Sequence, residues 1–149
     1  RDARLIDPVH TYETLLDSPA WIEADQQLIK QALRVLVDNS IKYTPGGGTI
    51  RLQVFKEEET VKIQVQDNGI GIPPEDVPRI FDRFYRSDQS RARKTGGSGL
   101  GLAIARWIVE HHAGHFEVIS RLEIGTRISI ILPAAQKPPV MAEDASEEL

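Results

Sequence analysis

Cysteine is absent from the 149 residues, which removes both a disulfide framework and a thiolate metal site and leaves the redox compartment unspecified. No apolar run approaches the ~20 residues of a membrane-spanning helix, and Arg1-Asp2-Ala3-Arg4 does not open a signal peptide. The chain therefore reads as soluble. Because it opens on Arg1 rather than Met, it also reads as a piece of something longer. A basic excess is missing too: 18 Lys and Arg face 22 Asp and Glu, a formal net charge of −4. A general nucleic-acid surface needs positive charge to neutralise phosphates, so any anion site here must be local. No internal repeat is visible, and a chain of this length suits one domain that buries roughly 70% of its unfolded surface.

What is present is a run of well-marked elements. Trp21-Ile22-Glu23-Ala24 reads as a short strand delivering Asp25 as a helix N-cap. Leu28, Ile29, Ala32, Leu33, Leu36 and Val37 then recur at three- and four-residue spacing, which predicts a helix with one buried stripe to about Tyr43. Pro45-Gly46-Gly47-Gly48 breaks it. Residues 49–55 and 61–66 alternate as two strands around the charged turn Lys56-Glu57-Glu58-Glu59. Pro73-Pro74-Glu75-Asp76 starts a short helix through Ile80-Phe81. Residues 83–97 are rich in Arg, Ser, Asp and Lys with almost nothing apolar after Tyr85, so a mobile loop is expected, poorly ordered over Ser87 to Thr95 without nucleotide. Residues 100–111 form an apolar helix closed at Gly114, 115–121 and 126–132 form a closing hairpin, and Pro133 stops it. An acidic tail over 134–149 has nothing to pack and is expected to be disordered. Together these predict an α+β fold, a two-layer sandwich with helices on one face of a mixed, mainly antiparallel sheet.

Three clusters carry chemistry. Asp67 ends a strand at the glycine turn Asp67-Asn68-Gly69-Ile70-Gly71. An ionised carboxylate only accepts hydrogen bonds, so it suits the amino group of adenine and opposes the carbonyl oxygen of guanine, at about 1–3 kcal/mol for a buried unpaired acceptor. Gly69 and Gly71 let the chain turn under the base, and Ile70 or Ile72 can floor the pocket. Taken alone, Asp-Asn-Gly is also an ordinary hairpin turn. Gly97-Ser98-Gly99-Leu100-Gly101 can turn successive N–H groups toward phosphates at a helix N-terminus. No strand precedes it in Rossmann spacing and no Gly-Lys-Ser/Thr follows, which disfavours both familiar nucleotide loops. On the first helix, Asn39 can give Mg²⁺ one oxygen while triphosphate and water supply the rest. Lys42, on the same helical face, can reach a phosphate, and Tyr43 can lie against a base.

The order of Asn39-Ser40-Ile41-Lys42-Tyr43, Asp67-Asn68-Gly69-Ile70-Gly71, Ile80-Phe81-Asp82-Arg83-Phe84-Tyr85-Arg86 and Gly97-Ser98-Gly99-Leu100-Gly101-Leu102 resembles the catalytic ATP-binding domain of bacterial sensor histidine kinases. These belong to the GHKL superfamily, shared with gyrase, MutL and the heat-shock chaperones of that fold. The resemblance covers roughly residues 25–133. It implies a Bergerat-type sandwich with ATP and Mg²⁺ as cofactors. Asn39 is similar to the Mg²⁺-binding Asn, Lys42 and Arg86 to phosphate contacts, Tyr43 to an adenine neighbour and Asp67 to the adenine-reading Asp. Gly97, Ser98, Gly99, Leu100 and Gly101 resemble the phosphate-side end of an ATP lid that starts near Arg83, and Gly125-Thr126 the last glycine box. Two positions depart from the pattern: Val35 stands where a polar residue, often Asn, is common, and Glu123 where glycine is frequent.

Val35 bears on activity, because the gyrase and MutL branches carry there a Glu that activates water, and an apolar side chain cannot act as a base. The resemblance therefore implies transfer of the ATP γ-phosphoryl group to a histidine on a separate dimerisation and phosphoacceptor domain of the same kinase, with a response regulator downstream. Among the chain's own histidines, His10 lacks the family's acceptor pattern, and His111, His112 and His115 cluster at a helix end where they can complement its dipole. Arg91, Arg93 and Lys94 read as lid charges, since no aromatics interleave with them. Phe81 and Phe84 suit either core or a partner surface. The expected location is cytoplasmic, without nucleic acid and without membrane contact by this segment. A regulatory module that binds ATP without transferring phosphate, and a hydrolytic ATPase of the gyrase branch, are the two alternatives.

Overall fold

The computed structural model describes residues 11–16, 21–82 and 100–135. Among the described residues five strands form one sheet: β1 (Thr11–Leu16), β2 (Thr49–Glu57), β3 (Thr60–Asp67), β4 (His115–Arg121) and β5 (Gly125–Pro133). Their spatial order is β1-β2-β3-β5-β4, with β1 parallel to β2 and every other pair antiparallel. Among the described residues two helices, α1 (Gln26–Tyr43) and α2 (Gly101–His111), pack beside one another and against the sheet.

Register explains why the helices take one face. Leu52, Val65, Ile128 and Val118 lie opposite one another across four strands, and Val54, Ile63, Ile130 and Phe116 form the next row. Side chains alternate along a strand, so these rows make a continuous apolar floor. Ala32 and Leu36 of α1 and Ala105, Ile108 and Val109 of α2 bury themselves on it. Each large aliphatic side chain removed from water contributes about 1.5–3 kcal/mol. Phe81 stacks on Phe116 with ring centroids 4.5 Å apart and packs against this core; Phe84 lies outside the described residues. The opposite face is polar: Lys62 Nζ sits 3.2 Å from Glu57 and 3.5 Å from Glu117, and Arg127 donates to Gln66. The bond from Glu57, reinforced by the charge of Glu117, holds the Lys62 ammonium above the ordinary lysine range against the opposing effect of burial.

Most predicted elements appear, with four differences. Strand β1 has no counterpart among the sequence expectations, because Thr11–Leu16 shows no clean alternation and its partner β2 begins 49 residues into the chain. Residues 21–24 are not a strand; Trp21 meets the body of the fold through its carbonyl, which accepts from the Ala135 N–H at 2.6 Å. Asp25 does cap α1, accepting from the N–H groups of Gln27 and Leu28. The Pro73-Pro74 segment forms turns and a single 3-10 turn, Val77–Arg79, rather than a helix.

His112 is the fourth. The Asp25 N–H donates to its Nε2 at 3.0 Å, and its Nδ1 lies 2.7 Å from the Ile108 carbonyl. A backbone N–H can only donate, so Nε2 carries no proton and Nδ1 does. His112 is therefore a neutral clasp between the end of α2 and the start of α1, not a charge complementing the helix dipole. Helix α2 closes through a left-handed Ala113 (φ 61°), after which the Gly114 N–H returns to the Val109 carbonyl. Ala134, at the start of the expected tail, donates to the Glu59 carbonyl at 2.8 Å. The remainder of that tail beyond residue 135, and the loop over 83–99, lie outside the described residues.

Candidate nucleotide-binding site

At one end of the sheet the apolar rows give way to a polar one on the same face. Asp67 lies opposite Ile50 on one side and Thr126 on the other, and Thr126 lies opposite Ser120. Asp67 is only 7% exposed. Its Oδ1 accepts from the Gly69 N–H at 3.0 Å and from the Thr126 N–H at 3.2 Å, and the buried Ser40 of α1 donates a third hydrogen bond to the carboxylate. An ionised carboxylate offers about four acceptor sites, so three donors leave room for one more. Burial dominates its titration and pushes the carboxyl above the usual aspartate range, against the opposing pull of the Gly69, Ser40 and Thr126 bonds.

The turn after Asp67 is bound to the end of α1. The Ile70 N–H donates to the Tyr43 carbonyl at 3.1 Å, and a Cβ on Gly69 would collide with that same carbonyl oxygen, so no other residue lets the turn approach so closely. Gly71 takes a left-handed φ of 77°, and a Cβ there would run into the Arg121 carbonyl. Asn68 has a local task, its Oδ1 accepting from the Thr49 N–H at 2.8 Å. The β4–β5 turn closes the other side: the Glu123 N–H reaches the Ile70 carbonyl at 2.8 Å, and the Ile72 N–H donates to Ser120 Oγ at 2.8 Å. Glu123 adopts a left-handed φ of 65°, which gives the departure from glycine noticed in the sequence a physical meaning.

Asn39 and Lys42 are half-buried on the neighbouring face of α1. Val35, Asn39 and Lys42 share that face by helical spacing, and Val35 Cγ1 lies 3.4 Å from where a Cβ on Gly101 would stand. The first residue of α2 therefore abuts the Val35–Asn39 face. Leu100 occupies the cap of α2 without a side-chain hydrogen bond to the helix end, and no acidic residue stands in the first turn; among the described residues, no acidic side chain of the helix itself offsets the positive end of its dipole. Lys42 Nζ sits 5.9 Å over the Tyr43 ring.

Hydrogen bonds and packing thus gather Tyr43, Asp67, Gly69, Gly71, Ile72 and Thr126 at one end of the sheet, and Asn39 and Lys42 share a face of α1 with Val35, which abuts Gly101. Arg86, Gly97, Ser98 and Gly99 lie outside the described residues. Sequence reasoning overlooked Ser40 and Ser120. Ser40 sits inside a quoted motif, and its place three residues before Tyr43, on the same helical face, was the available signal. Ser120 had none, since a serine on an exposed-looking strand is ordinary. Among the described residues, no three His, Asp or Glu gather into a metal site, and no helix is long and apolar enough to cross a membrane.

Residues 24–136 match the family model described as histidine kinase-, DNA gyrase B-, and HSP90-like ATPase. The chain is 46% identical over 127 residues to the sensor histidine kinase WalK of Bacillus subtilis (strain 168), covering 84% of this chain and 21% of that protein. It thus spans about a fifth of that relative's length. Among solved structures, a mycobacterial sensor histidine kinase, MprB, superposes with a TM-score of 0.81 at 30% identity, covering 91% of this chain and 90% of that one. Full-length ShkA in complex with AMPPNP superposes with a TM-score of 0.78 at 27% identity, covering 92% of this chain and 29% of that one.

Proposed function

The chain belongs to the histidine kinase-, DNA gyrase B- and HSP90-like ATPase family, as the catalytic ATP-binding domain of a two-component sensor histidine kinase, and from that premise we propose that it transfers the γ-phosphoryl group of Mg·ATP to a histidine on a separate dimerisation domain of the same kinase. Asp67 carries the reading. It is a buried carboxylate with three donors in place and one acceptor position to spare, and the 6-amino group of adenine is the donor that fits. Tyr43 and Ile72 flank the base, and Thr126 holds the carboxylate from across the sheet.

The donor set fits Mg²⁺ as the ion is usually bound beside a nucleotide, through few protein ligands and several waters. Asn39 would supply one oxygen, and the ion would neutralise phosphate charge. Lys42, Arg86 and the amides of Gly97, Ser98, Gly99, Leu100 and Gly101 would take the remaining phosphate charge at the start of α2. Phosphoryl transfer asks mainly for positioning and charge neutralisation. A neutral imidazole nitrogen then forms the N–P bond as the bond from the γ-phosphorus to ADP breaks, and ADP leaves with the charge. Val35 gives the site no base to activate water, so the acceptor must be brought in. A response regulator follows as the second acceptor.

The test mixes this chain with a separately supplied dimerisation and phosphoacceptor domain and γ-labelled ATP. Label on the histidine, with little phosphate release by the chain alone, supports the proposal. ATP binding without label would favour a regulatory ATP sensor, and steady phosphate release would favour a hydrolytic ATPase.

A further inference from the structure

Ser120 carries more than a strand position requires. Its single hydroxyl accepts from the Ile72 N–H at 2.8 Å and lies 3.2 Å from the Gly125 carbonyl and 2.8 Å from Thr126 Oγ1. Ile72 closes the turn that begins at Asp67, while Thr126 supplies one of the N–H groups bound to Asp67 Oδ1. One side chain thus ties together the two segments that fix the carboxylate from opposite sides, its bond to Ile72 spanning 48 residues of sequence. The bond it supports, from the Thr126 N–H to Asp67, is longer than the one from Gly69, 3.2 Å against 3.0 Å, so it is the more sensitive to a small shift of β5. The turn itself has a second tether, from the Glu123 N–H to the Ile70 carbonyl, and so does not depend on Ser120 to form.

We propose that Ser120 is a positioning residue for adenine recognition, holding Thr126 and the Asp67–Ile72 turn in the register at which the carboxylate meets the 6-amino group. The proposal rests on the reading that Asp67 binds that amino group. The Ser120 hydroxyl bonds to Ile72, Gly125 and Thr126 rather than to Asp67 itself. It acts through Asp67, so its contribution must disappear for a nucleotide that has no 6-amino group.

Calorimetric titration of this chain with ATP and with purine riboside 5′-triphosphate, which lacks that group, tests it. The unaltered chain should prefer ATP. Ser120→Ala should weaken ATP binding roughly three- to tenfold, the worth of one hydrogen bond, and change purine riboside triphosphate binding by less than about twofold; Ser120→Thr, which keeps the hydroxyl, should restore ATP affinity. The near-isosteric Ser120→Cys, a poor hydrogen-bonding substitute, repeats the measurement should the alanine variant melt early. Equal losses for both nucleotides in these variants, or no loss for ATP, would overturn the role of Ser120. An unaltered chain that binds ATP without preferring it would instead overturn the adenine reading of Asp67, and Ser120's role with it.

Discussion

Replacing Asp67 with Asn separates what the carboxylate does for the ligand from what it does for the fold. The side chain is 7% exposed, and its Oδ1 takes the N–H groups of Gly69 and Thr126. An amide oxygen can keep both bonds, and the amide nitrogen can donate to the Ser40 hydroxyl, so the local network survives the change. Adenine fares differently. It loses a hydrogen bond to a charged acceptor and meets a second donor, a combination worth about 3–5 kcal/mol, or roughly two to four orders of magnitude in affinity. GTP, whose 6-oxygen can accept from the new amide, should bind no worse than before. The unliganded variant should be at least as stable as the parent at neutral pH, because a buried charge has gone. Burial raises the Asp67 carboxyl in the folded state above its unfolded value near 4. Its contribution to stability is then complete below about pH 4 and is lost as pH rises through the folded pKa, since the unfolded chain releases its proton first. Asp67→Asn should abolish that part of the pH slope. Denaturant melts of both proteins from pH 4 to pH 8, together with titration calorimetry, read out each arm. ATP affinity within threefold of the parent would refute the adenine-reading role, and an unchanged pH slope would refute the account of burial.

Glu123 strains the β4–β5 turn at a φ of 65°, and Glu123→Gly should stabilise the protein by about 0.5–1 kcal/mol, seen as a later midpoint in urea. Gly71→Ala should cost at least about 2 kcal/mol, because strain at a φ of 77° adds to the collision with the Arg121 carbonyl; a melt matching the parent would contradict that packing. Leu36, fully buried between α1 and the sheet, should cost about 2–5 kcal/mol when cut to Ala, again by denaturant melt. His112→Leu should lose about 1 kcal/mol through the broken clasp to Asp25 and Ile108, with ATP affinity unchanged, since the clasp lies at the other end of α2 from Gly101.

Local pattern alone was enough for α1, α2 and strands β2 to β5, because helical and strand periodicities are written in neighbouring residues: Leu28 to Val37 repeats on one helical stripe, and Val61, Ile63 and Val65 on one strand face. Asp67 stands out on its glycine turn, but Asp-Asn-Gly is equally an ordinary hairpin turn, so Asn39, Asp67 and Thr126 become site candidates only through the order of the motifs and the resemblance it carries. Strand β1 and the roles of Ser40, Ser120 and His112 were not legible. Each depends on a partner far along the chain: the N–H of Asp25 for His112, that of Ile72 for Ser120, the carboxylate of Asp67 for Ser40, and the edge of β2 for β1. Sequence pattern by itself determined α1, α2 and strands β2 to β5, and which side chains are candidates for a nucleotide site. Only the tertiary structure decided which donors surround Asp67 and how many acceptor positions it keeps, because sheet register and helix docking, not local preference, bring those groups within hydrogen-bonding distance.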